Sequence, residues 1–403
     1  MQNELAARHF AARALSHHPW YLAAGVNAET PVSLLLRDPD GSEHEVIVRW
    51  KRRASALGTL RQPPATGTSE ATQFFFGSAS VSQLIDAQLD RVGAQEPFFF
   101  TDAVVRELGF SSRVVPSASA LAAAGVSASN GVSYFAIKYQ YAGKRILLLR
   151  IPNYDPPSAA VSLGYLTALL AEQRDQVDGL ILDQTHNPGG RGAFMERLVQ
   201  LLSARPTRRT VQNLRADRWW YETYAAELES FVDETDLSPP TTRALQSTVL
   251  DAQRIDDAYS AGAALTAPML FPLQDTVLGP APGAWNKPLL ILSDELSASC
   301  GDYFPLIMKS NQFARLFGAR TMGAGGNVER VAQLTNSGLS LDLTRSLATM
   351  PDESEVYPDE GYIEDNGVSP DVPYAHSLAD VRAGYVRYAK AFSEALVQQL
   401  AEQ

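Results

Sequence analysis

The spacing of hydrophobic and polar residues changes near residue 145, and this change predicts the architecture of the chain. Downstream of it, short apolar runs of strand length alternate with segments of helical periodicity, a pattern typical of α/β proteins. The pattern predicts strands at residues 146–154, 178–183 and 289–292, and helices at residues 159–173 and 193–203.

Upstream of this point the pattern is mixed. Two β-rich runs within residues 31–50 surround a turn that contains proline and glycine, which predicts a β-hairpin. Residues 53–73 and 116–132 are rich in small and turn-forming residues, and we expect loops in both places.

These patterns divide the chain into three parts. We expect an N-terminal mixed segment at residues 1–140, a core at residues 141–380 and a C-terminal helix at residues 381–403. Residues 205–285 carry several helical stretches and proline-rich breaks, so they are predicted to be a helical insertion over the core.

The composition excludes several classes of function. Lys and Arg number 34 against 45 Asp and Glu, a net charge of −11 that repels phosphate backbones, so we expect no nucleic-acid partner. The lone cysteine, Cys300, excludes an intramolecular disulfide and a Cys-rich zinc site. No apolar run approaches eighteen residues, so no membrane span is expected. The first twenty residues also lack the apolar core of a signal peptide.

No metal or other cofactor is expected either. The sequence contains no HExxH motif, no compact cluster of histidines and carboxylates, and no P-loop. Any chemistry would therefore depend on side chains and backbone groups of the protein.

A serine-rich turn follows the apolar strand predicted at residues 289–292. The sequence SDELSASCGD leads from this strand into a helix and places Ser299 at the helix start, among small neighbours. Unpaired amides at a helix N-terminus stabilise anions, so this arrangement suits a nucleophile. A serine at a strand end also serves as an ordinary helix cap, and the motif alone does not separate the two interpretations.

A glycine turn follows the other buried strand, at residues 187–190 (NPGG). Consecutive glycines can present backbone N–H groups to an oxyanion without obstruction by a β-carbon. Turns after neighbouring parallel strands meet at one edge of the sheet, where ligands bind in open α/β sheets. The serine turn and the glycine turn are therefore expected to converge, although a plain tight turn remains the alternative for the glycines.

Together these motifs resemble those of the carboxy-terminal processing (tail-specific) serine peptidases, in the branch that includes the tricorn core and the chlamydial protease-like activity factor. Four segments follow the family's order over residues 145–375, namely GLILDQTHNPGG (179–190), PLLILSDELSASCGDYF (288–304), GARTMGAGG (318–326) and YIEDNGVSPDV (362–372). The resemblance implies an α/β fold with a ClpP/crotonase-like ββα spiral core, an N-terminal mixed α/β segment and a helical insertion.

The resemblance also implies roles for particular residues. Ser299 matches the nucleophile, and the backbone N–H of Cys300 with that of Gly189 or Gly190 matches the oxyanion hole. Glu364 matches the acidic residue that orients a histidine base. Three nearby carboxylates are the alternatives to Glu364, namely Glu355, Glu360 and Asp365.

The general base is the part of the site that the sequence does not supply. Ala324 stands where tail-specific members carry a catalytic lysine, which excludes a Ser–Lys dyad at this position. His186 lies in the glycine turn and is a candidate base or substrate contact. His17 and His18 match no motif, but an N-terminal histidine is a further alternative for the base. The chain starts after, or inside, the family's PDZ-like region, so we expect the histidine to come from an upstream segment or another chain.

These observations predict a serine endopeptidase that acts on polypeptides. A catalytically inactive peptide-binding protein on the same scaffold is the main alternative, and a hydratase or isomerase of the crotonase fold is a third. The family resemblance further implies an extracytoplasmic location. A homo-oligomer is left open as the source of the missing histidine.

Overall fold

A computed structural model describes residues 32–37, 42–48, 96–110, 113–127, 134–231, 238–270, 277–333, 340–351 and 361–402. The chain divides into two compact units, with the boundary between Ser69 and Glu70. In the first unit the described residues form an antiparallel hairpin of β1 (Val32–Arg37) and β2 (Glu43–Val48). This confirms the hairpin predicted within residues 31–50.

The described residues of the second unit form eleven strands and nine helices. The strands are β3 (Ala136–Tyr141), β4 (Lys144–Arg150), β5 (Gly179–Asp183), β6 (Thr207–Arg208), β7 (Val211–Leu214), β8 (Val277–Leu278), β9 (Leu289–Ser293), β10 (Arg315–Gly318), β11 (Asn327–Gln333), β12 (Ser340–Thr349) and β13 (Val372–Pro373). The helices are α1 (Asp102–Leu108), α2 (Ala118–Ala123), α3 (Ala159–Gln173), α4 (Gly192–Leu202), α5 (Arg218–Ser230), α6 (Pro239–Ser260), α7 (Cys300–Ser310), α8 (Leu378–Arg382) and α9 (Val386–Ala401).

A six-stranded sheet with the order β13-β10-β9-β5-β4-β3 forms the centre of this unit. All neighbouring strands are parallel except β3, which runs antiparallel to β4. Every residue of β5 and β9 is buried, as expected for continuous apolar runs inside a parallel sheet. Leu182 pairs with Ile291 and Asp183 with Leu292, so β5 and β9 end at the same edge of the sheet.

Helices cover both faces of this sheet. On one face, Leu180 and Ile291 pack with residues of α3, α4 and α7. On the other face, Ile181 and Leu292 pack with α1, α9 and the buried Phe99. Because successive strand residues point to opposite faces, the apolar runs supply both cores at once. The layered α/β fold predicted from the sequence is confirmed.

The loop predicted at residues 116–132 is wrong over part of its length. Residues 118–123 form helix α2, whose N-cap Ser117 accepts a hydrogen bond from the N–H of Ala120. Alanine-rich sequence favours a helix, and Leu121 buries its side chain in the core. The small residues at 118–123 therefore form a helix, and the segment is not a loop over its whole length. Residues 128–133 and the loop predicted at 53–73 lie outside the described residues.

The predicted helical insertion at residues 205–285 is also more than helical. It contains α5 and α6, but β7 pairs with β12, which in turn pairs with β11, in a separate three-stranded sheet. The indole N–H of the buried Trp220 on α5 donates to the carbonyl of Arg345 on β12 at 2.9 Å. The insertion is thus joined to β12, which follows α7 in the sequence. In the part of the chain that the structure describes, no helix is both long and apolar enough to cross a membrane.

Candidate active site

The serine turn and the glycine turn meet at the carboxyl edge of the sheet. The turn after β5 accepts a hydrogen bond from the turn after β9, between the carbonyl of Asn187 and the N–H of Ala298 at 2.9 Å. A β-carbon added to Gly189 would stand 2.7 Å from Cβ of Ser299. One added to Gly301 would stand 2.7 Å from the carbonyl oxygen of Asn187. The two turns expected to converge are therefore in direct contact.

Ser299 has a backbone conformation that few residues with a side chain adopt. It is the N-cap of α7, with φ 54° and ψ −118°. Its N–H donates to the carbonyl of Ala324 at 3.1 Å, and its own carbonyl accepts from the N–H of Asp302 at 2.7 Å. Such positions carry about 1–3 kcal/mol of strain and concentrate at active sites. A strained serine between a strand and a helix presents its hydroxyl at the sheet edge.

The hydroxyl of Ser299 does not serve as a helix cap. It forms no hydrogen bond to the first turn of α7, and within the described part of the chain its Oγ has no hydrogen-bond partner. A serine that caps its helix would accept from an N–H two or three residues onward. The capping interpretation of this serine is therefore not what the structure shows.

The two glycines of the turn differ in what their N–H groups do. The N–H of Gly189 donates to Oδ1 of Asn187 at 2.8 Å. The N–H of Gly190 has no acceptor among the described residues, and neither does that of Cys300, the first residue of α7. First-turn amides of a helix have no intrahelical acceptor. Two unpaired donors thus flank Ser299, one on each turn.

The side chain of Cys300 is not suited to act as a nucleophile. The residue is buried, its Sγ donates to the carbonyl of Gly190 at 3.1 Å, and burial raises the pKa of the thiol. The thiol is therefore protonated at neutral pH and adds one more bond between the two turns.

The third turn of the site, at residues 321–326, is held by the first turn of α7. The fully buried carboxylate of Asp302 accepts the N–H of Gly323 at 2.9 Å and that of Ala324 at 3.1 Å. Burial raises the pKa of Asp302 to about 7, against the opposing effect of these N–H donors. Sequence reasoning did not single out Asp302. The signal was available, because an acidic residue in the first turn of a helix can accept N–H groups from a glycine-rich turn such as GAGG at residues 323–326.

Glu364 lies close to the same turn. Its Oε2 accepts the N–H of Gly326 at 2.5 Å, and its Oε1 accepts the hydroxyl of Thr344 at 3.0 Å. Burial raises the pKa of Glu364, although these donors act in the opposite direction. No histidine among the described residues bonds to this carboxylate. The neighbouring Asp365 is exposed, whereas Glu355 and Glu360 lie outside the described residues.

His186 pairs with Asp294, a residue that sequence reasoning missed. The imidazole Nδ1 lies 2.7 Å from Oδ2 of Asp294, and the ring packs on Phe98 with centroids 5.2 Å apart. Phe98 belongs to the face of the sheet that carries α1 and α9, whereas α7 covers the other face. No hydrogen bond joins His186 to Ser299.

This pairing sets the charges of both groups. Burial would lower the pKa of His186, but the charge and the hydrogen bond of Asp294, with the charge of Asp183, act in the opposite direction and that pKa is raised. Burial would raise the pKa of Asp294, yet the interactions with His186 lower it to about 2. The carboxylate of Asp294 is thus ionised at neutral pH, and its charge favours the protonated form of His186.

The remaining histidines do not complete the site within the described residues. The ring of His376 packs on Tyr388, with centroids 4.4 Å apart, and on Phe98. His44 belongs to the hairpin of the first unit. His9, His17 and His18 lie outside the described residues.

Comparison with known proteins identifies the family of this chain. Residues 145–374 match the model of peptidase family S41. A Chlamydia pneumoniae protein is 31% identical over 246 residues, which are 56% of this chain and 38% of the relative. A Chlamydia trachomatis protein is 27% identical over 272 residues, which are 60% of this chain and 43% of the relative. The chain spans about two fifths of the length of these curated relatives.

A solved structure shares the fold. The structure of mature CPAF complexed with lactacystin superposes with a TM-score of 0.67 and 21% identity, over 100% of this chain and 74% of that chain. The family match covers more than half of the residues and includes both turns of the candidate site. The chain therefore belongs to peptidase family S41, a family of serine-type hydrolases, as its motifs predicted.

Proposed function

We propose that this chain is a serine endopeptidase that cleaves polypeptides through an acyl-enzyme on Ser299. The observation that carries the proposal is the contact between the two turns, which brings the hydroxyl of Ser299 beside two backbone N–H donors. None of these three groups has a hydrogen-bond partner among the described residues. Membership of a serine-type peptidase family supports the same reaction class.

The reaction would proceed in two steps of acyl transfer. Ser299 Oγ attacks the carbonyl carbon of the scissile peptide while a base removes the hydroxyl proton. The tetrahedral intermediate then collapses, the C–N bond breaks and the amine leaves with that proton. In the second step the base takes a proton from water as the water attacks the ester. It then passes this proton to Ser299 Oγ as the ester bond breaks, and the new carboxylic acid is released.

Gly190 and Cys300 are the donors that we assign to the oxyanion hole. Their N–H groups have no acceptor among the described residues, whereas the N–H of Gly189 is already bonded to Asn187. Preorganised donors of this kind each contribute about 10²- to 10³-fold in rate. Of the two glycines that the sequence offered, Gly190 is thus the donor, and Gly189 provides the close approach to Ser299.

The base in this proposal is a histidine from outside the described residues. His186 is engaged by Asp294, and a serine hydroxyl needs a partner to take its proton. Glu364 would orient the imidazole, because it is a partly buried carboxylate next to the turn that binds the N–H of Ser299. The extracytoplasmic location and a homo-oligomer stay predictions.

One observation favours a second candidate, a peptide-binding protein without catalysis. No histidine among the described residues bonds to Ser299 Oγ or to Glu364. If no base reaches the serine, the same turns and donors would hold a peptide without cleaving it.

Hydrolysis of an unstructured protein, with and without added imidazole, separates the candidates. We expect the wild-type chain to cleave in at least one condition and Ser299→Ala to cleave in neither. If cleavage requires added imidazole, the base belongs to another polypeptide or segment. If cleavage does not require imidazole, variants of His17 and His18 test whether either residue is the base. A folded wild-type chain that cleaves in neither condition contradicts the peptidase proposal and supports the binding protein.

A further inference from the structure

One buried carboxylate, that of Asp294, bonds to both turns of the candidate site. From the turn after β5 it accepts the backbone N–H of His186 at 2.8 and 2.9 Å and contacts the His186 ring nitrogen at 2.7 Å. From its own turn it accepts the hydroxyl of Ser297 at 3.1 Å and the N–H of Leu296 at 3.2 Å. Asp294 is 5% exposed, so solvent does not compete for these bonds.

We propose that Asp294 and His186 are positioning residues that hold the glycine turn against Ser299 in the geometry that catalysis requires. The inference rests on the proposed function, since it assigns a task in the same site. Neither residue touches the reacting atoms; both would act through the backbone between His186 and Gly190.

A continuous series of contacts joins the pair to the oxyanion donors. Asn187 follows His186 directly, and its Oδ1 accepts the N–H of Gly189 at 2.8 Å. The carbonyl of Asn187 accepts the N–H of Ala298 at 2.9 Å, and its Nδ2 donates to the carbonyl of Ile151 at 2.9 Å. A shift at His186 would thus move Asn187, and with it Gly189 and the neighbouring donor of Gly190.

The backbone of the turn depends on this anchoring. His186 itself has φ 60°, a conformation disfavoured for a residue with a β-carbon, so an interaction must hold it there. The carboxylate supplies that interaction, with charge-assisted bonds to the N–H and to the ring. The buried pair Arg150–Asp183, with nitrogen and oxygen 2.7 Å apart, lies at the adjoining strand ends and keeps β4 and β5 in register there.

Replacement of Asp294 by asparagine tests the proposal in the full chain. Asparagine keeps the size of the side chain but removes the charge and one acceptor oxygen. We expect the kcat of Asp294→Asn to fall by at least about tenfold, with KM changed less than about threefold, because displaced donors weaken binding of the transition state more than binding of the substrate. His186→Asn, which keeps a donor without the ring, should lose less than Asp294→Asn.

The matched control is Asp178→Asn. Asp178 precedes the opposite end of β5, where its partly exposed carboxylate pairs with Arg145 at 2.9 Å and accepts the Arg145 N–H at 2.8 Å. It offers the same chemical change just before the opposite end of β5, away from the site. Its kcat should stay within about twofold of the wild-type value, since exposed pairs contribute little.

Amide hydrogen exchange gives a readout that does not require activity. In Asp294→Asn we expect exchange of residues 184–190 to accelerate at least about tenfold relative to wild type and Asp178→Asn, with the core strands unchanged. Unchanged exchange in this turn would overturn the positioning role, whether or not the wild-type chain proves to be a peptidase. An active wild type with an equally active Asp294→Asn would overturn it too, while the proposed function would stand.

Discussion

Gly189 lies so close to Ser299 that residue 189 can have no side chain. A β-carbon there would stand 2.7 Å from Cβ of Ser299 and 3.0 Å from the nitrogen of Cys300, and Gly189 also has φ 103°. Contacts under 3.0 Å force something to move, and here the neighbour is the serine itself. The absence of a side chain is what allows the two turns to touch.

Gly189→Ala should therefore damage the site and the fold together. We expect activity to fall at least about 100-fold and the free energy of unfolding to fall by about 2 kcal/mol, from the clash and from the left-handed backbone. Peptide hydrolysis and urea unfolding measure the two effects. Gly279→Ala is the control, because a β-carbon there meets nothing within 4 Å. A fully active Gly189→Ala would refute the close approach.

The backbone of Ser299 predicts a difference between two inactive variants. Both Ser299→Ala and Ser299→Gly remove the hydroxyl and should abolish hydrolysis. Glycine adopts φ 54° and ψ −118° without strain, whereas alanine does not, so the glycine variant should be more stable by about 1 kcal/mol. Thermal unfolding of the two variants makes the comparison. An alanine variant as stable as the glycine variant would show that the position is not strained.

Much of the fold and part of the site could be predicted from the sequence. The apolar runs at β5 and β9 identified a buried parallel sheet, and the shared edge of parallel strands led to the meeting of NPGG with Ser299. The sequence could not reveal that Asp294 reaches His186, a contact between residues 108 positions apart. Nor could it distinguish Gly189 from Gly190, since that choice depends on the side chain of Asn187.

Asp302 should make the stability of the protein depend on pH. Burial raises its pKa from 3.8 to about 7, so the folded state keeps a proton that the unfolded state has lost between these values. Stability therefore falls as pH rises through this window, by on the order of 4 kcal/mol from this residue. Asp302→Asn should remove that dependence in urea unfolding at pH 5 and pH 7.5, and Asp178→Asn should keep it. An unchanged slope in Asp302→Asn would argue against a protonated Asp302.

Glu364→Gln tests the residue that we assign to orient the base. The amide cannot stabilise a protonated imidazole, so kcat should fall at least about tenfold. Because burial raises the pKa of Glu364, wild-type activity should also decline as pH falls through that raised value. Asp365→Asn, the exposed neighbour, should stay within about twofold. If Asp365→Asn loses activity and Glu364→Gln does not, the role belongs to Asp365.

Reaction with a fluorophosphonate followed by mass mapping is the decisive experiment for Ser299 as nucleophile, because only an activated serine beside an oxyanion hole forms the adduct. We expect one adduct per chain, located on Ser299, in the wild-type protein with imidazole present, and none in Ser299→Ala. A folded wild-type chain without an adduct on Ser299, or with its adduct on another serine, would refute this role of Ser299.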